Sequence, residues 1–387
     1  MDTAEQIDVS IIIPAYREAE NLPRLMEEIA AALTPTAWSW EAIVVDDNSP
    51  DQTPDVLKKL AIQHPQFRYL IRCDEKGLSS AVLAGFNLAR GRILVVMDAD
   101  LSHPPSALES MARPLLDGSA DFVVGSRYVE GGGTQDDWGL FRKLNSAVAT
   151  ALGRPFAGSV RDPMAGFVAL RRETYLGADE LSPIGYKIGL ELMVKCHVQR
   201  VLEVPIFFRN RLHGQSKLTI GEQWRYLEHL SRLYDYKYPR GSPWVKSLLT
   251  TIASAAVGYL VATILRVADA RQLDAAAVGL LAMLAVTSLF FARYKKSQRT
   301  WLLSRHPWEE FLAACFIGMT GGLLVARGLV GRWAFPPMML ASIAACIAGR
   351  FLMQLILGHD IRGVRRRGRT ARTVGRDGRA KAGNGAA

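Results

Sequence analysis

Residues 93–100 read Ile93-Leu94-Val95-Val96-Met97-Asp98-Ala99-Asp100. Five apolar residues in a row, closed by polar ones, predict a short buried strand over 93–97. Two carboxylates stand where it ends. Side chains alternate along an extended chain, so Asp98 and Asp100 fall on one side and can face one hard cation. Magnesium typically takes one or two carboxylates and completes its shell with substrate phosphates and water. The pattern therefore suits a metal–diphosphate site. A solvated turn is the plainer reading, and the position directly behind a buried strand favours the metal.

Similar strand and helix patterns flank this stretch on both sides. Residues 9–14 (VSIIIP) predict a strand, and 18–33 a helix with Leu22, Leu25, Ile29 and Leu33 on one face. Residues 42–45 (AIVV) predict a second strand that ends in Asp46-Asp47. Further helices are expected over 53–64 and 78–90, and further strands over 68–71 and 122–124. Strands alternating with helices imply an α/β domain with a mainly parallel central sheet. Such sheets bind ligands beyond the carboxyl ends of their strands. Asp46, Asp47, Asp98 and Asp100 all follow strand ends. No Walker A sequence is present, and no G-x-G-x-x-G follows the first strand.

The chain has 387 residues, with 47 Lys+Arg against 37 Asp+Glu and a formal charge of +10. Its mean hydropathy is +0.08 and its pI about 9.5. These values exclude a disordered chain, a collagen-like chain and a disulfide-stapled mini-protein. The length implies two or three domains. Charge and hydrophobicity are segregated. Residues 358–387 hold nine Lys/Arg and two Asp among Gly and Ala, and are expected to form a disordered basic tail. A basic tail alone would fit a nucleic-acid arm, but the preceding residues argue for a membrane instead. Four stretches, 247–265, 275–292, 311–326 and 335–357, contain no Asp, Glu or Lys and approach the roughly 17–25 residues of a bilayer span. Buried core helices would show polar faces at helical period, and these do not.

Arg293, Lys295, Lys296, Arg299 and Arg305 lie between the second and third stretches, on the side that also takes the tail if there are four spans. The positive-inside rule makes that side cytoplasmic, together with the N-terminal half. Residues 1–8 are polar and acidic, so no signal peptide is expected. Arg350, inside the fourth stretch, is expected to snorkel to the interface, with a lipid phosphate contact as the sharper alternative. Cys73, Cys196, Cys315 and Cys346 lack paired spacing, which argues for a reducing compartment and against zinc.

Longer motifs add a resemblance. Pro14-Ala15-Tyr16-Arg17-Glu18, Val45-Asp46-Asp47-Asn48-Ser49-Pro50-Asp51 and Met97-Asp98-Ala99-Asp100-Leu101-Ser102-His103-Pro104-Pro105 resemble a family 2 glycosyltransferase of the GT-A fold. Gly125-Ser126-Arg127-Tyr128, Asp162-Pro163-Met164-Ala165-Gly166-Phe167, Gly185-Tyr186-Lys187 with Glu191, and Arg211-Leu212-His213-Gly214-Gln215-Ser216-Lys217 are similar to dolichol-phosphate (polyprenol monophosphate) mannose synthases. The match runs from about residue 9 to residue 218. The four-span half resembles a GtrA-like membrane module.

The resemblance implies inverting transfer of mannose from GDP-mannose to a polyprenyl or dolichyl phosphate. It implies that Pro14, Tyr16, Glu18, Asp46, Asp47, Asp98, Arg211 and Lys217 bind the donor nucleotide. Asp98, Asp100 and Ser102 match the ligands of a divalent metal, Mg²⁺ or Mn²⁺. Ser102 stands where many members carry Gln; being shorter, it would reach the metal directly or through a water. Arg127 and Arg142 match the pair for the lipid phosphate, with Lys143 as the alternative to Arg142 in a shifted register. Asp100, Arg127 and Arg211 are the residues expected to carry catalysis.

The expected organisation is a GT-A catalytic domain over 1–220, an interfacial helix and linker over 221–243, a four-helix transmembrane domain over 244–358, and the tail over 359–387. Gly131–Gly133 reads as a hinge before 138–152, which could form a lid, and His103 and His213 read as turn residues. The expected partners are GDP-mannose, a polyprenyl phosphate and the membrane, with no nucleic acid; self-association through the spans is compatible with the sequence. Three other functions compete. A relative using another sugar differs only at the family level. A processive polysaccharide synthase needs Q-x-x-R-W, which the chain lacks. A transporter or scaffold for lipid-linked sugars would not need the intact Asp98, Asp100, Arg127, Arg211 and Lys217 set.

Overall fold

The computed structural model describes residues 7–135, 140–209, 220–239, 241–297 and 307–357, with side chains at some of these positions, 140–146 and 350–357 among them, outside the description. The chain divides into two compact units, Met1–Lys237 and Tyr238–Ala387.

The first unit begins with β1 (Val9–Ala15), α1 (Leu22–Leu33), β2 (Trp40–Asp46), α2 (Thr53–Gln63), β3 (Phe67–Ile71), α3 (Leu78–Leu88) and β4 (Ile93–Val96). It continues with α4 (Leu108–Leu116), β5 (Phe122–Ser126), β6 (Gly133–Thr134), α5 (Leu140–Ala157), β7 (Val168–Arg171), α6 (Arg172–Leu176), α7 (Ile188–Lys195), β8 (Val201–Pro205), β9 (Phe207–Phe208) and α8 (Ile220–Lys237). Seven strands form one sheet in the order β3-β2-β1-β4-β7-β5-β8. The pairs β1–β2, β1–β4, β2–β3 and β5–β8 are parallel, and among the described strands of this sheet β7 alone runs against its neighbours. This is the mainly parallel α/β sheet expected from the alternation of elements.

The strands are apolar on both faces because both are covered. Ile11, Ile13, Val44, Val95 and Val123 join a core beneath α1 and α4. Ile12, Ile43, Val45, Leu94 and Val124 point the other way and pack with Val82 and Phe86 of α3 and with Ile188 and Leu192 of α7. Period-two alternation thus feeds two cores from one strand. Helix α1 begins at Leu22 rather than at Glu18. Pro23 sits in its first turn, where a missing N–H costs nothing, and the amides of Asn21 and Leu22 close onto the Glu18 carbonyl. On α3, a Cβ added at Gly85 would lie 2.5 Å from Cγ2 of Ile12, so only glycine lets this helix approach β1 so closely.

The reversal of β7 is what positions the site. The other six strands leave the sheet at its carboxyl edge, and β7 enters there. Residues 162–167, which lead into it, therefore lie along the edge where the acids stand.

The second unit contains α9 (Ser242–Val267), α10 (Gln272–Ser297), α11 (Pro307–Leu329) and α12 (Phe335–Leu357). Two close helix approaches dominate it. A Cβ at Gly258 would meet the Gly279 carbonyl at 2.7 Å, and one at Gly322 would meet the Ser342 carbonyl at 2.9 Å. Small residues at such seams let helix backbones touch, the usual packing where lipid surrounds a bundle. Among the described residues, Leu248–Val267, Gln272–Ala292 and Leu312–Leu329 are long and apolar enough to cross a membrane. The fourth expected span falls on α12, whose described apolar run, Phe335–Gly349, is shorter. Leu249, Leu260, Leu289, Phe316 and Leu324 of these helices are exposed. The Arg350 side chain, Arg299, Arg305 and the tail lie outside the described residues.

Candidate active site

Three loops leave the carboxyl ends of β1, β2 and β4, and each turns on a non-glycine residue in the left-handed region: Arg17 (φ 60°), Asn48 (φ 53°) and Leu101 (φ 63°). Such conformations cost about 1–3 kcal/mol each and persist where surrounding bonds hold them. Here the loops after β1 and β2 hold each other. The Arg17 amide donates to Ser49 Oγ at 2.8 Å, the Glu18 amide to Thr53 Oγ1 at 3.0 Å, and the Asp47 amide to the Ala15 carbonyl at 3.1 Å.

Of the expected donor-binding residues, Tyr16 is half-buried, with Lys76 Nζ 5.7 Å from its ring centroid. The carboxylate of Glu18 accepts from Asn21 Nδ2 at 2.7 Å. Asp46 is fully buried and accepts from both the amide and the hydroxyl of Ser49, so it braces the turn. Asp47 accepts from Nε of Arg72 at 2.8 Å, from Nη2 of the same guanidinium, and from the Gly77 amide at 2.7 Å. Arg72 also donates to Ser80 Oγ and to the Gly77 carbonyl. This buried pair shapes the loop between β3 and α3. Arg72 was not among the expected site residues; its one local signal is a cation directly behind the strand predicted over 68–71.

At the end of β4, the Asp98 carboxylate is 30% exposed and Asp100 is buried. Asp100 Oδ1 accepts from the amide of Ser102 at 3.1 Å and from its hydroxyl at 2.6 Å. Ser102, expected as a third metal ligand, is fully buried and orients this acid. His103, expected as a turn residue, is also buried and does more: Nδ1 accepts the Asp98 amide at 3.0 Å, and its ring stacks on Phe167 at 5.0 Å. Asp98 and Asp100 form an all-oxygen pair, one with open access. Among the described residues no group of three or more His, Cys, Asp or Glu side chains could cage a metal. The pair therefore fits a hard cation that arrives with phosphate ligands.

Residues 162–167 tie the remaining charges to these acids. Asp162 receives Arg127 through Nε at 2.7 Å and Nη2 at 2.8 Å. The Met164 carbonyl accepts Lys187 Nζ at 2.8 Å. A Cβ at Gly166 would stand 3.3 Å from Cε1 of His103 and 3.9 Å from Oδ2 of Asp98. Burial disfavours the charge on Arg127, but the Asp162 carboxylate outweighs it and raises the pKa. Burial, and then the like charge of Arg127, push the half-buried Lys187 down to about 8, against the pull of Asp162 and Asp98. Neither Asp162 nor Lys187 was among the expected site residues, though both lie in motifs that carry the resemblance.

Behind the loop of Lys187, Glu191 on α7 accepts from Lys195 Nζ at 2.7 Å and pairs with His229 Nε2 of α8 at 2.8 Å. Burial works against its ionised form, but these bonds prevail and lower its pKa. Arg211, His213 and Lys217, the Arg142 and Lys143 side chains, and the start of the expected lid at 138 lie outside the described residues.

The family described as Glycosyl transferase family 2 matches residues 10–176. A dolichol-phosphate mannosyltransferase of Pyrococcus furiosus is 43% identical over 232 residues, which make up 59% of this chain and 64% of that one. The chain thus spans less than two thirds of the archaeal relative. Dolichol-phosphate mannosyltransferases of Mycosarcoma maydis and Saccharomyces cerevisiae are each 38% identical; the matches take in 61% and 60% of this chain and 82% and 89% of theirs.

Proposed function

The chain belongs to the dolichol-phosphate mannosyltransferases of glycosyl transferase family 2 and is a glycosyltransferase, and from that premise we propose that it transfers mannose from GDP-mannose to the phosphate of a polyprenyl or dolichyl phosphate, with inversion, at the cytoplasmic face of a membrane. The observation that carries this reading is the placement of the Asp98–Asp100 pair and the Arg127–Asp162 fork along one edge of the sheet, joined by residues 162–167. Acids for a cation with its diphosphate and an arginine for a phosphate are what this transfer needs side by side.

A phosphate monoester oxygen is already anionic at neutral pH, so attack on the anomeric carbon needs no general base. A lone pair of that oxygen forms the new C–O bond, the bond to the donor diphosphate breaks, and its electrons leave with GDP. The protein's task is positioning and charge neutralisation. Asp98 and Asp100 would hold a divalent cation, Mg²⁺ or Mn²⁺, whose charge stabilises the departing diphosphate. Arg211 and Lys217 are assigned to the donor diphosphate. Arg127 and Arg142 are assigned to the acceptor phosphate, which Arg suits through its two-pronged donor array. Pro14, Tyr16 and Glu18 line the nucleotide loop. Asp46 and Asp47 act through the loops they brace. We count α12 as a fourth span beside the three helices α9, α10 and α11, with the catalytic unit and the tail on the cytoplasmic side. These helices anchor the enzyme where its lipid substrate lies.

The test is an assay of the purified chain with polyprenyl phosphate, Mg²⁺ or Mn²⁺, and GDP-mannose or UDP-glucose in parallel. Lipid-linked mannose from GDP-mannose is the expected product. Transfer from UDP-glucose with none from GDP-mannose would overturn the donor assignment.

A further inference from the structure

Asp162 is a fully buried acid to which the mechanism above gives no role. It accepts from the Arg127 backbone amide at 3.1 Å as well as from Nε and Nη2. Its own backbone is pinned in turn: the amides of Arg161 and Asp162 donate to the Glu203 carboxylate of β8 at 2.8 and 3.0 Å. The guanidinium of Arg127, 12% exposed, lies 5.3 Å from the ring centroid of Tyr128 and 5.5 Å from that of Phe208. Plane, depth and direction of this cation are therefore fixed from three places: the turn after β5, the segment leading into β7, and β9. An arginine so forked loses less freedom when it meets a phosphate than one that swings on a free stem. A buried guanidinium with no carboxylate would also bear its desolvation uncompensated, beside the like charge of Lys187.

We propose that Asp162 is a positioning residue for Arg127, and that its carboxylate sets how tightly the enzyme holds a phosphate monoester acceptor while leaving nucleotide binding untouched. The proposal rests on the reading that Arg127 meets the acceptor phosphate.

The test uses the full-length chain in detergent or lipid. It compares Asp162→Asn, Arg127→Lys, Arg127→Ala and the double variant Asp162→Asn/Arg127→Ala. The readouts are KM for polyprenyl phosphate, kcat, the Kd of GDP with Mg²⁺, and the melting temperature. Asp162→Asn is expected to raise KM for polyprenyl phosphate about tenfold or more, with the Kd of GDP within about twofold of the parent. Arg127→Lys keeps the charge but cannot make the fork, and should shift KM in the same direction. The double variant should lose no more than Arg127→Ala alone, because the two residues act as one. If Arg127→Ala raises KM while Asp162→Asn and Arg127→Lys do not, the positioning role is wrong. It is also wrong if the two losses multiply in the double variant, or if GDP binding falls as much as acceptor use. Should Asp162→Asn fail to fold, Arg127→Lys decides alone: unchanged acceptor KM overturns the proposal. If Arg127→Ala leaves KM unchanged, the acceptor reading itself has failed.

Discussion

Among the described residues, three of the four strand-end acids accept hydrogen bonds from their own chain. Asp46 and Asp100 take theirs from serines three and two residues on, and Asp47 takes Arg72 and Gly77 from 25 and 30 residues away. The acids were legible because an apolar run followed by Asp is a local pattern. Their distant partners were not, because no local pattern links residue 47 to 72, or 127 to 162. Breaking a buried ion pair by removing one partner costs about 3–5 kcal/mol. Arg72→Met should therefore lower the melting temperature by several degrees and weaken GDP binding; an unchanged melt would show that the Asp47–Arg72 pair is dispensable. Lys187 offers a pH test. With its pKa lowered to about 8, it is charged below that value and neutral above it. The charged groups whose fields reach it are Arg127, Asp162 and Asp98. Any help it gives to phosphate binding should fade as pH rises from 7 to 9. Lys187→Arg, charged throughout, should flatten that fall in GDP affinity measured by calorimetry. Identical pH profiles for the two proteins would exclude Lys187 from the phosphate site.

At the scale of elements, the sheet was readable from β1 to β5, where each strand is a compact apolar run. The direction of β7 was not. Val168-Ala169-Leu170-Arg171 looks the same run either way, and only the long connection through α5 makes it enter from the carboxyl edge. That reversal lays residues 162–167 across the site. Packing between elements gives its own prediction. Gly85→Val would drive a branched side chain into Ile12 at the contact of α3 with β1. Overpacking of this kind typically costs about 1–3 kcal/mol, so the melting temperature of the protein should fall. No change on melting would mean that α3 can shift away from the sheet at little cost.

At the scale of the whole molecule, the similarity to the mannosyltransferases takes in about 60% of the chain, and the glycosyl transferase family 2 match lies wholly in the first unit. The apolar helices of the second unit were legible because their stretches lack Asp, Glu and Lys; among the described residues three meet the length and hydropathy of a candidate membrane span. Orientation is open to a direct check. Cys73 is exposed in the catalytic unit, while Cys196 and Cys315 are buried. A membrane-impermeant maleimide should label Cys73 in opened or inverted vesicles and not in intact cells, with Cys73→Ser as the control. Labelling in intact cells would place the catalytic unit outside.

In the proposed function the acids at the end of β4 serve a metal-dependent transfer of mannose to a lipid phosphate. Its most direct test is the mannosyl transfer rate of purified Asp98→Ala beside the parent, with GDP-mannose, polyprenyl phosphate and Mg²⁺ or Mn²⁺, and with the metal removed by chelation. The expected result is a folded variant that transfers no mannose, and a parent that stops when the metal is removed. Full activity of Asp98→Ala without metal would contradict it.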